Sequence, residues 1–250
     1  MPVQDDERER ELVRMFNLDW DPLHQRAGND AILDIQVKDR SYRFEVEVKS
    51  STGRTVSTAR DVGMEHIQKW RRKLFVIGFY SRTAGRPELQ HCLCLTPLDM
   101  EPWIASIEAK ISIDFRLAHL ASRKLELADL FEVLGEQDTY SVTDAKRLHK
   151  QQWSAQQYAD ARDTQVGSER RFSRTGMLDI LRLRARYIAE RGATLNNPHI
   201  TKAHFDTFAG TKRVPLKNNW ANAIRAIAEE FVRAFPAHPA VQPYPPRTEA

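Results

Sequence analysis

Alternating apolar and polar positions mark the first two strands. In Ala31–Val37 (AILDIQV) and Tyr42–Lys49 (YRFEVEVK) every second residue is apolar, the period of a strand with one buried face. The polar turn Lys38-Asp39-Arg40-Ser41 between them predicts a hairpin. Ahead of it, Asp5–Phe16 carries Leu12, Met15 and Phe16 on one side of a charged helix, and a loop is expected from Trp20 to Gly28. After Ser50-Ser51-Thr52-Gly53 the pattern turns helical, most clearly over Met64–Arg72. Leu74–Tyr80 is then apolar almost without a break, as in a strand covered on both faces, and Leu89–Leu95 makes a further strand closed by Thr96-Pro97. A polar loop, Ser81–Pro87, joins them. Strand, strand, helix, strand, strand, helix predicts a mixed α/β sheet with helices on its faces.

Beyond Asp99 the three- and four-residue spacing of helices takes over. Helices are expected over Asp99–Ala109, Ala128–Leu134, Asp144–Ala161, Gly176–Arg191 (started by Ser173 or Thr175) and from Trp220 to Pro236. Leu195–Ile200 reads as a turn between the last two, and the proline-rich stretch from Pro236 as a loose tail. The expected organisation is a core over residues 1–110, a mostly helical part over 111–235 and a flexible tail over 236–250.

Charge and composition narrow the possibilities. The 250 residues carry a formal net charge of +4, compatible with a polyanionic partner, and the segment Ser141–Arg191 is locally basic. No stretch is apolar over a membrane's width and no secretory leader pattern opens the chain, so a cytoplasmic protein is expected. Cys92 and Cys94, two apart on one strand face, are too poorly placed to bond each other. No Cys/His array suggests zinc, no GxxxxGK[ST] suggests ATP, and no nucleophile elbow suggests a serine hydrolase.

The chemistry lies in Phe44–Ser50 (FEVEVKS). Alternation sends Phe44, Val46 and Val48 to the core and leaves Glu45, Glu47 and Lys49 in a row on the other face. With Lys38 facing Ser41, Asp30 comes beside Lys49, Glu47 beside Ile32, and Asp34 beside Glu45 nearer the turn. Asp30, Glu47 and Lys49 then cluster at the open end of the hairpin, a placement that a one-residue slip would undo. Two carboxylates suit Mg²⁺, and a lysine beside them suits phosphodiester hydrolysis by an activated water.

Asp30 with Glu47-Val48-Lys49 resembles the PD-(D/E)xK motif of restriction-type nucleases, with Asn29 where the family often has proline. The likeness covers about residues 28–80, where ExK-Ser-Ser-Thr is followed by His66-Ile-Gln-Lys-Trp70 and Val76–Tyr80. It implies a restriction-endonuclease-like fold and a type II, site-specific endonuclease of a restriction–modification system in a bacterium or archaeon. The implied cofactor is Mg²⁺, with Mn²⁺ as a substitute, held by Asp30, Glu47 and the Val48 carbonyl, with Lys49 acting on the water. A helical glutamate, here Glu11, sometimes assists, and Asp34 is the alternative first carboxylate. The implied partners are double-stranded DNA and a second copy of the chain, without ATP or membrane. Arg54, Arg60, His66, Gln68, Arg182 and Arg186 are DNA-contact candidates. A structure-specific repair or junction-resolving nuclease, or an inactive DNA-binding relative, are the alternatives.

Overall fold

The computed structural model describes residues 3–20, 30–81, 87–209, 213–214 and 219–245, with side chains from Glu7 onward except at 209 and 213. The loops expected over 20–28 and 81–87 lie largely outside them, as do Asn29 and residues 246–250. In chain order the elements are α1 (Val3–Met15), β1 (Asp19–Trp20), β2 (Ala31–Val37), β3 (Arg40–Ser51), β4 (Thr55–Ser57), α2 (Met64–Trp70), β5 (Lys73–Tyr80), β6 (Leu89–Leu95) and α3 (Pro97–Arg123). Then come α4 (Leu127–Leu134), β7 (Thr139–Tyr140), α5 (Val142–His149), α6 (Ala155–Asp160), β8 (Thr164–Val166), β9 (Glu169–Ser173) and α7 (Arg174–Ala193). The chain closes with β10 (His199–Thr201), α8 (Lys202–His204) and its π-helical continuation Phe205–Ala209, β11 (Arg213–Val214), α9 (Trp220–Ala234) and β12 (Gln242–Tyr244).

Two compact units divide the chain: residues 1–110 with 195–250, and residues 111–194. The first is built on a mixed sheet in the order β1-β2-β3-β5-β6-β11, with β12 paired to the early part of β3. Only β3 and β5 run parallel, joined through β4 and α2; the other pairs are antiparallel. One sheet face carries Leu33, Phe44, Val46, Val48, Leu74, Val76, Cys92 and Cys94 into a core with Leu12 and Phe16 of α1 and Trp220, Ile224 and Phe231 of α9. Gly78 suits that packing, because a Cβ there would stand 2.8 Å from Leu12 Cδ1 and force the leucine to shift. Both cysteines are free and buried in this core, as expected from their spacing, and burial pushes the Cys92 thiol up to about 12.

The second unit has its own core of Leu130, Tyr140, Tyr158, Phe172, Met177 and Leu181, around a small sheet in the order β7-β9-β8. The helix expected over Asp144–Ala161 is two helices here. Lys150 and Gln151 take positive φ and end α5, and Ser154 caps α6 through its side chain. The Asp99 helix runs on to Arg123, while the α7 start at Ser173 is as expected, its hydroxyl accepting from the Gly176 amide.

Three further differences change the organisation. Residues 195–235 return to the first unit instead of extending a helical second part. Leu195–Thr201 is no simple turn: Leu195 bridges Val62 and β10 pairs with β4, a strand that the Ser/Thr/Gly-rich sequence concealed. The tail beyond Pro236 is docked through residue 245. Ala240 and Val241 are buried, and β12 sits on β3 with Pro243 opposite Tyr42. Proline is tolerated at such a short edge position because it needs no ladder donor there. Among the described residues no helix is long and apolar enough to cross a membrane.

Candidate active site

The hairpin register differs by two residues from the sequence-based expectation. Val37 pairs with Arg40 across a two-residue turn, Lys38 taking φ 55°, so Asp34 faces Arg43 and Ala31 faces Val46. Arg40 and Ser41, assigned to the turn by their polarity, are the first residues of β3. An even shift keeps every side chain on its expected face. Asp30, immediately before β2, therefore still reaches the corner where Glu47 and Lys49 stand.

There the Asp30 carboxylate accepts two hydrogen bonds on Oδ2, from the Val48 amide and from Lys49 Nζ, each at 2.9 Å. The same ammonium is 3.1 Å from Glu47 Oε1 and 3.1 Å from the Val48 carbonyl oxygen. Lys73, at the start of β5, closes the group by donating to Glu47 Oε2 at 2.7 Å. Parallel pairing sets Lys73 opposite Glu45, on the face that Glu47 shares. Both partners are buried, Lys73 at 4% exposure and Glu47 at 8%.

Burial alone would favour a neutral Glu47. The charges of Lys49 and Lys73 outweigh it and lower the carboxyl from 4.5 to about 2. Burial likewise opposes the charge of Lys49, but Glu47, Asp30 and Glu9 hold its pKa well above the ordinary lysine value. Two anions and two cations thus share one low-dielectric corner, each dependent on the others.

The oxygens on offer suit a hard divalent cation by type: two carboxylates and the Val48 carbonyl. No described residue donates to Asp30 Oδ1. Among the described residues no group of three or more His, Cys, Asp or Glu side chains could hold a metal ion. Lys49 Nζ lies among these three oxygens, at 2.9, 3.1 and 3.1 Å; by type they match Mg²⁺, which accepts one or two carboxylates and retains water for its other positions.

The remaining sequence candidates fall into separate places. Glu11 accepts from the Tyr80 hydroxyl at 3.2 Å; Glu9 is the α1 acid whose charge acts on Lys49. Asp34 is bound by both arms of Arg43, at 2.8 and 2.7 Å. His66 accepts from the Gly63 amide at the start of α2. Burial and then Lys69 depress its pKa, while Glu47 works the other way. Gln68 is exposed on α2, and Arg54 and Arg60 are exposed on either side of β4. Arg182 and Arg186 belong to the second unit. The first donates to the Leu125 carbonyl at 2.9 and 3.1 Å, and the second to Glu190 one turn further along α7 at 2.7 Å, both within that unit.

Lys73 escaped the sequence reading. Its only signal is a lone lysine leading the apolar run of β5, and nothing local ties it to Glu47, 26 residues earlier. Compared with known proteins, the chain matches no protein-family model and no curated relative.

Proposed function

We propose that this protein is a Mg²⁺-dependent endonuclease that hydrolyses phosphodiester bonds of double-stranded DNA at specific sites, acting as a homodimer. The observation that carries the reading is the Asp30–Lys49–Glu47 bridge at the open end of the β2–β3 hairpin, with 2.9 and 3.1 Å separations. The resemblance of Asp30 and Glu47-Val48-Lys49 to the PD-(D/E)xK motif supports it, and the mixed α/β sheet is compatible with the restriction-endonuclease-like fold that the resemblance implies.

Asp30, Glu47 and the Val48 carbonyl would hold the cation. Bound there, it would lower the pKa of water and offset charge building on the phosphate. Glu47 arrives already ionised, because two lysines hold its proton off. Lys49 contributes a fixed positive charge and donors beside both carboxylates, suited to orienting an attacking water and a phosphate oxygen. Lys73 keeps Glu47 Oε2 engaged from behind, which leaves Oε1 as the oxygen turned toward Lys49. The chain's positive net charge favours the polyanion.

The test is a long, sequence-diverse duplex incubated with Mg²⁺ and either wild type or Lys49→Ala, run beside branched DNA of the same sequence. Discrete fragments from wild type alone are expected. A smear would replace site specificity by nonspecific cleavage, and cutting confined to the branched substrate would favour a structure-specific nuclease. No cleavage of either DNA, with Mg²⁺ or Mn²⁺, would remove the reading.

A further inference from the structure

We propose that the β4–β10 ribbon is the element through which this protein reads the base edges of duplex DNA. This rests on the corner at Asp30, Glu47 and Lys49 being a DNA-cleaving site, but the two readings can fail separately.

The ribbon is two antiparallel strands with His199 opposite Ser57, Ile200 opposite Val56 and Thr201 opposite Thr55. One face is anchored, with Val56 and Ile200 both at 0% exposure. The other presents Thr55, Ser57 and His199 to solvent. Further bonds lock the strands together: the Thr58 amide donates to Asn197 Oδ1 at 3.1 Å, its hydroxyl to the Pro198 carbonyl at 2.6 Å, and the Trp103 indole to the His199 carbonyl at 3.2 Å. Ser57 Oγ lies 3.3 Å from His199 Nδ1, and no described residue engages the imidazole's Nε2. Such a ribbon is rigid behind and offers small hydrogen-bonding groups in front, a shape that the major groove admits.

Charge selects the partner. Segments 54–60 and 195–201 contain Arg54 and Arg60 and no carboxylate, although Asp61 follows directly and Lys202, next after the second, is paired with Asp206. Exposed cations flanking hydroxyls and an imidazole match phosphates flanking base edges. Position agrees. Thr55 lies six positions beyond Lys49, and the Ser51 hydroxyl ties the intervening bend by donating to the Thr55 carbonyl at 2.6 Å. An extended chain of that length spans at most about 20 Å. Ser57, two positions further on, lies within about 28 Å by the same measure, so the ribbon can meet bases within about eight base pairs of a phosphate held at the corner, at about 3.4 Å per base pair.

The experiment selects bound duplexes from a randomised pool with full-length Glu47→Gln protein in Mg²⁺, so that captured DNA survives, and sequences them. The same selection is run after adding Ser57→Ala with His199→Ala, or Arg54→Ala with Arg60→Ala; thermal unfolding verifies that each folds. Cleavage of the pool by protein with Glu47 intact is mapped in parallel. The Ser57/His199 pair should lose about tenfold of its preference at one or two positions, within about eight base pairs of the cut, while still retaining DNA. The arginine pair should weaken all sequences alike and lower the salt dependence of binding by about one ion per lost phosphate contact. An unchanged motif from the Ser57/His199 pair, no motif from the parent, or no duplex retained would each overturn the ribbon proposal. A motif that depends on Ser57 and His199 without cleavage by the Glu47 protein would uphold the ribbon and sink the nuclease reading.

Discussion

The two ends of the β2–β3 hairpin carry similar charges on one face and treat them in opposite ways. Near the turn, Asp34 meets Arg43 as a closed pair. Both carboxylate oxygens accept from the guanidinium fork, and the side chains remain 28% and 27% exposed. At the open end Asp30, Glu47, Lys49 and Lys73 are more deeply sunk, and one ammonium is shared among two carboxylates and a backbone carbonyl. The first arrangement satisfies itself and has little left to give. The second keeps Glu47 ionised in a buried place and leaves Asp30 Oδ1 without a described donor. Charges are costly to bury, so a corner that gathers four, from the residue before β2, from β3 and from β5, fits the proposed chemistry better than it serves stability.

Removing the shared ammonium should separate the ends most sharply. Lys49→Ala and Glu47→Gln are each expected to lower DNA cleavage by about 10³-fold or more, whereas Asp34→Asn leaves it within about twofold. Initial rates on one duplex substrate decide this. Asp30→Asn belongs with the first group; if Asp34→Asn were inactive and Asp30→Asn active, the carboxylate assignment would be reversed. Lys73→Met comes next. It strips a buried partner from Glu47 and should cost about 3–5 kcal/mol in urea unfolding, far more than any change at the Asp34 end. A cost below 1 kcal/mol would mean that Lys73 is dispensable to the corner.

Acid should unpick the open end in a defined window. Glu47 titrates near 4.5 unfolded and about 2 folded, so its contribution is fully present above about pH 4.5 and is lost as pH falls toward 2. The stability gap between wild type and Glu47→Gln, from urea unfolding at successive pH values, should be constant above pH 4.5 and shrink below it. A gap unchanged down to pH 2 would contradict the depressed pKa. Lys49, raised instead, contributes below its unfolded pKa of 10.5 and loses that only at more alkaline pH, so it leaves the acid window untouched.

Much of this corner was legible in the sequence because period-two alternation survives errors of detail. β2 and β6 have the predicted bounds, and a register wrong by two still put Asp30 with Glu47 and Lys49. What alternation does not encode is the neighbour across a parallel pair, which is why Lys73 went unseen. β4 and β10 failed for another reason. Thr55-Val-Ser57 and His199-Ile-Thr201 have one apolar residue each, too few to show a period, and their pairing depends on a contact 142 residues apart. Local charge likewise does not show that Arg182 contacts the Leu125 carbonyl and that Arg186 pairs with Glu190.

The smallest effect tests whether the turn end is as self-contained as its geometry implies. Arg43 has two partners there, the Asp34 carboxylate and the ring of Tyr244, whose centroid lies 3.5 Å from the guanidinium carbon. Tyr244 reaches it because β12 pairs with Ser41–Arg43. Tyr244→Ala should therefore remove a partly exposed cation–π contact costing about 0.5–1 kcal/mol, and Asp34→Asn a similar amount from a part-exposed ion pair. Arg43→Lys keeps the charge but loses both the fork and the flat stacking surface, so it should cost about as much as either change or slightly more. All three are read by urea unfolding, with cleavage rates unchanged. The double variant Asp34→Asn with Tyr244→Ala carries the decisive information. Both contacts act through one guanidinium, so their costs should fall short of adding, by a few tenths of a kcal/mol. Full additivity would mean that the strand brought by the tail and the hairpin turn are stabilised independently.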